Sequence, residues 1–456
     1  PVAGGGEALP SSEDYASTQA QVPWQDVQHF KIIADNRFQL KNGNITANLG
    51  WQRNNRQEFG NPDNSSEQSL GFSLETFNYK AIYHRDNHTG WNSSFGVSGM
   101  HQDNSISGQE LLIPEYRLFD AGVFAYAQKT VDKFTVSGGA RYDTRKLTTT
   151  QLMEGIAVKF PGLDTRFSNV SASAGMTFEG SDELLFKFNL AKGFRAPSIP
   201  ELASNGAHEG TNRYEYGNPD MKSESSWQAD AGMEYNSDHL FMSATAFYNH
   251  INNFIFYSKL NSINGGDSLV SSDGDLIPAY QYNQRTANLY GLEMQIDIHP
   301  HPLDWLHWEN SLSYVRGKFA EALDGSENLP LIPSAHWLTE LRGEFMKKGK
   351  MIRNLSVYSD LDITFSQTNA FTGYQTETIT PGYLLLNAGF TGSLMRKNKQ
   401  VMTFYISANN LGDVAYQSHL SRLKYTEENM LTARRGVFNM GRNFMFKINI
   451  PLMLYH

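Results

Sequence analysis

The run Gly206-Ala207-His208-Glu209-Gly210-Thr211-Asn212-Arg213-Tyr214 carries the side chains best suited to bind a ligand. A neutral imidazole such as that of His208 binds zinc or iron. Glu209 can add an oxygen ligand, and the guanidinium of Arg213 can pair in a fork with a carboxylate. We expect His208, Glu209, Arg213 and the following Tyr214 to contact a metal-containing solute. In the alternative interpretation His208 is only hydrogen-bonded within a surface loop.

A second imidazole, His101, stands beside Gln102 and Asp103 at the expected outer end of a strand. It could join His208 across the opening of the fold and complete a two-histidine site. The competing interpretation is a solvated strand end, which needs no ligand.

Catalytic motifs are missing from the chain. We find no Gly-x-Ser-x-Gly, no His-Glu-x-x-His and no glycine-rich phosphate loop. The nearby combinations of suitable residue types are Asp103 with His101 and Ser204 with His208, and nothing in the sequence orients them. We therefore predict a protein that is not an enzyme and holds no permanent cofactor.

Strands must position these residues, because period-two alternation runs through the chain from Trp24 onward. In one example Phe134, Val136 and Tyr142 alternate with Thr135 and Arg141. About 17 such strands can be counted, and helical periodicity is absent. The chain has 456 residues, of which 12% are aromatic, and its mean hydropathy is −0.47.

Connections between these strands alternate in length. Short ones such as 236–238 and 396–399 are followed by long ones such as 193–223 and 412–441. This alternation is typical of an outer-membrane β-barrel, with tight periplasmic turns and long external loops. Aromatic residues lie near the strand ends, as expected of an interfacial girdle. No apolar run reaches the roughly 18 residues of a spanning helix.

The two faces of each strand differ in polarity. The apolar set is expected to face lipid, and the amide-rich and charged set is expected to face a watery interior. The chain has no cysteine. Its net charge of −9 argues against nucleic acid as a partner.

Several motifs resemble those of TonB-dependent outer-membrane receptors, in order along essentially the whole chain. Gly193-Phe194-Arg195-Ala196-Pro197 and Asn218-Pro219-Asp220-Met221 resemble the paired boxes of this family. Later matches resemble the strand motif around Gly291 and Glu293, and the box that includes Asn410, Leu411 and Tyr416. For Arg195 and Glu293 we expect structural or plug-facing roles.

The resemblance implies an all-β transmembrane antiparallel barrel of 22 strands filled by an N-terminal plug. This chain would supply the C-terminal 17 or so strands: residues 1–23 as an external loop segment and residues 24–456 as barrel. The plug and the first strands are then expected in a separate piece, produced by cutting in an exposed external loop.

By the same resemblance, the chain is expected in the outer membrane of a Gram-negative cell as an active importer of haem, zinc or an iron chelate. Its implied partners are a TonB-type energy-coupling protein, acting through the missing N-terminal segment, and membrane lipid and lipopolysaccharide. One alternative is a siderophore or other chelate receptor without a histidine ligand, which would use Tyr214, Tyr216, Phe371 and Arg435. Another is a passive porin-like barrel.

Overall fold

Long antiparallel strands make up nearly all of the protein. The computed structural model describes residues 12–18, 22–61, 64–85, 90–208, 213–272, 275–374, 376–429 and 433–451. The strands are β1 (Trp24–Leu40), β2 (Gly43–Phe59), β3 (Leu70–Arg85), β4 (Trp91–Ser107), β5 (Tyr116–Val131), β6 (Phe134–Thr149), β7 (Leu152–Glu154), β8 (Ala157–Phe160), β9 (Asp164–Glu179), β10 (Leu184–Arg195), β11 (Asn205–His208), β12 (Arg213–Tyr216), β13 (Glu224–Asn236), β14 (Leu240–Lys259), β15 (Leu269–Ser272), β16 (Asp275–Ile298), β17 (Leu306–Leu323), β18 (Ser326–Asn328), β19 (His336–Phe345), β20 (Ile352–Thr364), β21 (Tyr383–Arg396), β22 (Lys399–Asn409), β23 (Glu428–Asn429), β24 (Arg434–Arg435) and β25 (Asn443–Asn449).

Seventeen of these strands form one continuous antiparallel ladder in chain order, which confirms the predicted strand number. The short loop strands β11, β12, β15 and β18 join the same sheet and bring it to 21 strands. Among the described residues β1 pairs only with β2, and β25 pairs only with β22. The sheet therefore has two free edges and does not close into a complete barrel.

Short turns and long loops alternate at opposite ends of the ladder. Residues 41–42 join β1 to β2 and residues 132–133 join β5 to β6, whereas residues 196–223 and 410–442 form long loops at the other end. The predicted alternation is confirmed. The two ends are called the short-turn end and the long-loop end below.

The two faces of the ladder differ as predicted. On the inner face Arg145 pairs with Asp120, its direct cross-strand neighbour, at 2.7 Å. On the outer face of the same strand pair, Phe119 and Val123 are exposed. Alternation works here because side chains along a strand point to opposite sides of the sheet.

The sequence alternation predicts β4 over Trp91–Gln102 and β16 over Tyr282–Ile298. Both strands are longer in the structure, toward the long-loop end: β4 continues to Ser107, and β16 begins at Asp275. A barrel strand needs only about 9–11 residues to cross a membrane. Residues beyond that length do not face lipid and need not be apolar on the outer side. The alternation of apolar and polar residues, which predicts the strand, is therefore weaker there.

Within the part of the chain that the structure describes there are two short α-helices, α1 (Ser12–Ala16) and α2 (Ile199–Ala203). The first lies within the segment predicted as an external loop, so that segment is not entirely irregular. The second lies in the long central loop. None of the described helices is long and apolar enough to cross a membrane.

Candidate functional site

The central loop is organised by the two motif boxes, which the structure brings together around α2. Arg195 Nη1 donates to Glu201 at 2.8 Å, and Arg195 Nε donates to Glu224 at 2.5 Å. The backbone amide of Ser198 donates to the same Glu201 carboxylate at 2.7 Å. Asn218 N then donates to the carbonyl of Glu201 at 2.8 Å. Arg195 therefore connects the first box with α2 and with the start of β13.

A cluster of buried apolar residues packs against this arrangement and holds it in place. The buried residues of the cluster come from both boxes and from the helix between them: Ala196, Ile199, Leu202, Ala203 and Met221, with Ile113, Leu118, Leu147, Phe167 and Ile255 from neighbouring strands and loops. Pro197 of the first box is also fully buried. Both ends of the chain segment between the boxes are therefore anchored in this apolar cluster, which is called the base of the loop below.

A β-hairpin projects from this base and carries the predicted ligand residues. β11 pairs with β12, and β12 pairs in parallel with β16 through Tyr214 opposite Ala279. Asn205 N donates to Leu112 O at 3.1 Å, and Asn205 Nδ2 donates to Lys159 O at 2.8 Å. The hairpin is therefore held by the loop before β5, by β8 and by β16.

The Arg213 side chain contacts other residues of the protein, Glu215 and Tyr257. Its side chain is 11% exposed, and its Nε donates to Glu215, 4% exposed, at 2.7 Å. Its guanidinium lies 3.7 Å from the ring centroid of Tyr257. Burial alone would lower the pKa of Arg213, but Tyr257 and Glu215 outweigh it and raise that pKa. The guanidinium stays charged.

Tyr214 is also held within the hairpin. Its hydroxyl donates to Asn205 Oδ1 at 2.8 Å, and its ring lies 4.9 Å from that of Tyr216. Burial, followed by the charge of Glu154, raises the pKa of Tyr214, so the phenol stays protonated. As placed, Tyr214 and Arg213 support the hairpin, and their predicted contact with a ligand stays a prediction.

His208 is the last residue of β11, and its backbone is paired with Arg213. Glu209 lies outside the described residues. The metal-binding role of His208 and Glu209 stays a prediction.

His101 does not lie at the end of its strand, as the sequence had suggested. It precedes the last residue of β4 by six positions, and its cross-strand neighbours are Phe77 and Phe119. Both phenylalanines are exposed on the outer face. His101 Nε2 lies 2.7 Å from Asp103 Oδ2. The imidazole therefore belongs to the outer wall, which disfavours a shared site with His208.

The strand motif at Gly291 has a steric basis. A Cβ at Gly291 would collide with the carbonyl oxygen of Tyr314 and come within 2.7 Å of the Phe247 ring. Glu293 lies on the same strand opposite Thr245 and Ser313. Gly291 therefore allows close packing between neighbouring strands, and Glu293 lines the inner face.

The later box stabilises the last long loop. Asn410 is buried, donates from Nδ2 to Val414 O at 2.9 Å and accepts from Val414 N at 2.8 Å. Leu411 N donates to Leu386 O, and the Tyr416 ring packs at a tilt against that of Tyr383, with centroids 4.4 Å apart. Its residues thus have structural contacts.

Phe371, one of the residues offered for a chelate receptor, is fully buried in a second apolar cluster. That use of Phe371 is wrong, because its ring contacts Phe319 and Tyr374 instead. Tyr280 and Leu329 belong to the same cluster.

Sequence reasoning missed a cluster that forms around His299. Asp297, His299 and His307 place one ligand atom each within 4.8 Å of one another. The sequence feature that could have revealed this cluster is the short connection between β16 and β17. It folds the start of β17 back beside the end of β16 and so brings the three residues together.

The residue pairs considered for catalysis have other partners. Ser204 Oγ donates to Pro200 O at 2.6 Å, and the His101–Asp103 pair lies on the outer face with Arg117 bound to Asp103 at 2.9 Å. Neither arrangement contains a nucleophile held by a base.

Fold and motif geometry together define an outer-membrane receptor barrel. The sequence matches the family described as TonB dependent receptor-like, beta-barrel over residues 6–411. The chain therefore belongs to that family, as the motifs indicated.

Similar solved structures share this fold at low sequence identity. The copper transporter OprC is 16% identical with a TM-score of 0.70, covering 93% of this chain and 65% of its own. The hemophore receptor HasR of Serratia marcescens, solved with its hemophore HasA and heme, is 15% identical with a TM-score of 0.69 and the same coverage. The FrpB iron transporter of Neisseria meningitidis is 14% identical, with a TM-score of 0.67, 94% coverage of this chain and 64% of its own. The chain thus spans somewhat less than two thirds of these proteins.

Proposed function

We propose that the chain is the barrel portion of a TonB-dependent importer that captures a metal-containing solute, either haem, zinc or an iron chelate, at its long-loop end. Family membership supports the importer class. The named functions of OprC, HasR and FrpB, which concern copper, heme and iron, support a metal-containing cargo.

The observation that carries this proposal is the anchored β11–β12 hairpin. Its base is fixed by a charged pair, Arg213 with Glu215, that is almost entirely buried. Tyr282 adds a hydroxyl donor to Glu215 at 3.2 Å. Such pre-organisation lowers the entropy lost when a ligand binds the loop. His208, the last residue of β11, would then supply the imidazole ligand.

A binding measurement on the purified outer-membrane protein in detergent tests this role. We expect His208→Ala to weaken haem or Zn²⁺ binding at least tenfold, measured by haem absorbance and by equilibrium dialysis. His29→Ala is the matched control, because His29 lies on β1 and contacts Asn54 rather than the hairpin. Unchanged affinity in His208→Ala would remove the histidine-based importer and favour a chelate receptor that uses other residues.

The free edges of the sheet support the proposed domain division. We propose that residues 24–456 form barrel, that residues 1–23 belong to an external loop, and that the family's remaining strands pair with β1 and β25. The same assembly would supply a plug and the segment that contacts a TonB-type protein. Intact mass and N-terminal sequencing of the purified receptor test this: a second polypeptide carrying a plug supports two pieces.

A further inference from the structure

A compact group of imidazole and carboxylate side chains lies at the short-turn end of the ladder, remote in the fold from the β11–β12 hairpin. Asp297 is the penultimate residue of β16, His299 opens the following turn, and His307 is the second residue of β17. Glu344 reaches the group from the end of β19. Asp297 and His307 share the inner face with the charged pair of Arg342 and Glu309.

The donor atoms of this group converge on one point. His299 Nε2 lies 2.7 Å from Asp297 Oδ2, and His307 Nδ1 lies 3.7 Å from the same oxygen. The two imidazole rings meet edge to face with centroids 4.2 Å apart. Ligands about 2.0–2.2 Å from a tetrahedral ion stand roughly 3.4 Å from one another. The observed spacings bracket that value, so small side-chain rotations would suffice.

Two of these polar atoms are buried without a hydrogen-bond partner: Asp297 Oδ1 and His307 Nδ1. The side chain of His307 is only 14% exposed, and that of Asp297 is 19% exposed. Leaving such buried polar groups unpaired is unfavourable, because they have lost their hydrogen bonds to water. A cation held by the Asp297 carboxylate and by His307 Nδ1 would give that imidazole nitrogen its missing partner.

The remaining nitrogen of His307 faces a carboxylate that can orient the ring. His307 Nε2 lies 4.0 Å from Glu344 Oε1. Glu344 is itself held by Arg342 Nη1 at 3.1 Å and by Lys347 at 3.3 Å. A carboxylate on the far side of a ligating histidine favours a proton on that nitrogen and leaves the other free for metal. Glu344 thus adds a negative charge on the side of His307 away from the proposed ion.

We propose that Asp297, His299 and His307 bind a divalent first-row transition ion of the Zn²⁺ class, with a fourth position open to water. Two imidazoles with one carboxylate suit zinc and its neighbours, whereas Ca²⁺ and Mg²⁺ prefer all-oxygen sites. The site is separate from the His208 hairpin and stands whether or not that hairpin binds a metal.

The test measures Co²⁺ and Zn²⁺ binding to the detergent-purified protein that carries His208→Ala, so that the hairpin does not contribute. We expect one Co²⁺ per chain with visible d–d bands, competed by Zn²⁺. Adding His307→Ala or His299→Ala should weaken binding at least tenfold. Asp297→Asn, which keeps size and shape, should weaken it in the same direction.

His301→Ala is the matched control, because this imidazole lies in the same turn, is largely exposed and faces Asp304 at 3.5 Å. It should bind Co²⁺ as the parent does. Thermal unfolding followed by circular dichroism checks that each variant is folded. The proposal is overturned if the parent binds no ion, if the His299 and His307 variants bind normally while folded, or if His301→Ala alone removes binding.

Discussion

Arg195 and Glu201, six residues apart, are joined by hydrogen bonds of 2.8 and 2.9 Å that bend the chain at the top of β10 into α2. The same guanidinium also holds Glu224, at the start of β13. A single side chain thus connects the strand that enters the central loop, the helix inside it and the strand that leaves it. The base of the proposed ligand hairpin depends on this connection.

Replacing Arg195 by alanine is expected to destabilise the central loop by about 1–3 kcal/mol. The variant leaves two carboxylates unpaired, and they are only 14% and 12% exposed. The effect should be smaller than for a fully buried pair, because the guanidinium is 44% exposed and screened by solvent. Limited proteolysis at residues 196–223 and thermal unfolding in detergent would measure it.

Arg117→Ala is the control for that experiment. Arg117 also pairs with an aspartate, Asp103 at 2.9 Å, but its side chain is 77% exposed. An exposed pair contributes about 0–1 kcal/mol. Equal losses for the two arginine variants would contradict the structural role assigned to Arg195.

Arg213→Ala is expected to release the hairpin and to weaken ligand binding without touching His208. The substitution leaves Glu215 charged and buried, an arrangement that is unfavourable by about 3–5 kcal/mol. The double variant Arg213→Met with Glu215→Gln should recover most of the stability, since no unpaired buried charge remains. Hydrogen exchange of residues 205–208 and 213–216 would follow hairpin order in both variants. If the hairpin amides of Arg213→Ala exchange as slowly as those of the parent, the proposed role of Arg213 is contradicted.

The barrel strands could be predicted from sequence because lipid and a watery interior impose opposite demands on alternate residues. Phe119 and Asp120 show this: one is exposed on the outer face, and the other pairs with Arg145 inside. Outside the membrane that demand disappears. The extension of β16 back to Asp275 and the hairpin β11–β12 therefore left no clear pattern in the sequence.

Side-chain partners in the candidate sites were harder to predict, because they depend on cross-strand register. A register shift of one residue reverses the face of every side chain. His101 was expected at a strand end near His208, yet its neighbours Phe77 and Phe119 place it on the outer wall. His307 lies beside Asp297 because a turn of only a few residues connects their strands. Neither relationship is visible in local composition.

Gly291→Ala is expected to impair barrel folding. The new Cβ would meet the backbone carbonyl of Tyr314, which the strand pairing with β17 holds in place, and the ring of Phe247. Such overpacking typically destabilises by about 1–3 kcal/mol. Gly50→Ala is the control, because its Cβ would have Asn78 as its nearest neighbour at 4.0 Å. The folded fraction in detergent and its unfolding temperature should fall for the first variant alone.

Alkaline pH is expected to loosen the second apolar cluster through Tyr374. Burial raises the pKa of Tyr374 from 10.0 to about 12, assisted by the charge of Asp324. Between these two values the unfolded chain loses the phenol proton while the folded chain keeps it. Stability therefore falls as pH rises from about 10 to about 12, by about 2–3 kcal/mol in total.

The matched variant for this prediction is Tyr374→Phe, which keeps the ring against Phe371, 4.8 Å away between centroids. It should lose less stability than the parent over the same pH interval, measured by denaturant unfolding in detergent at several pH values. The difference between the two ultraviolet titrations should show one tyrosine ionising near pH 12. If that difference instead shows ionisation near pH 10, the hydroxyl is not desolvated and the pH dependence does not arise from Tyr374.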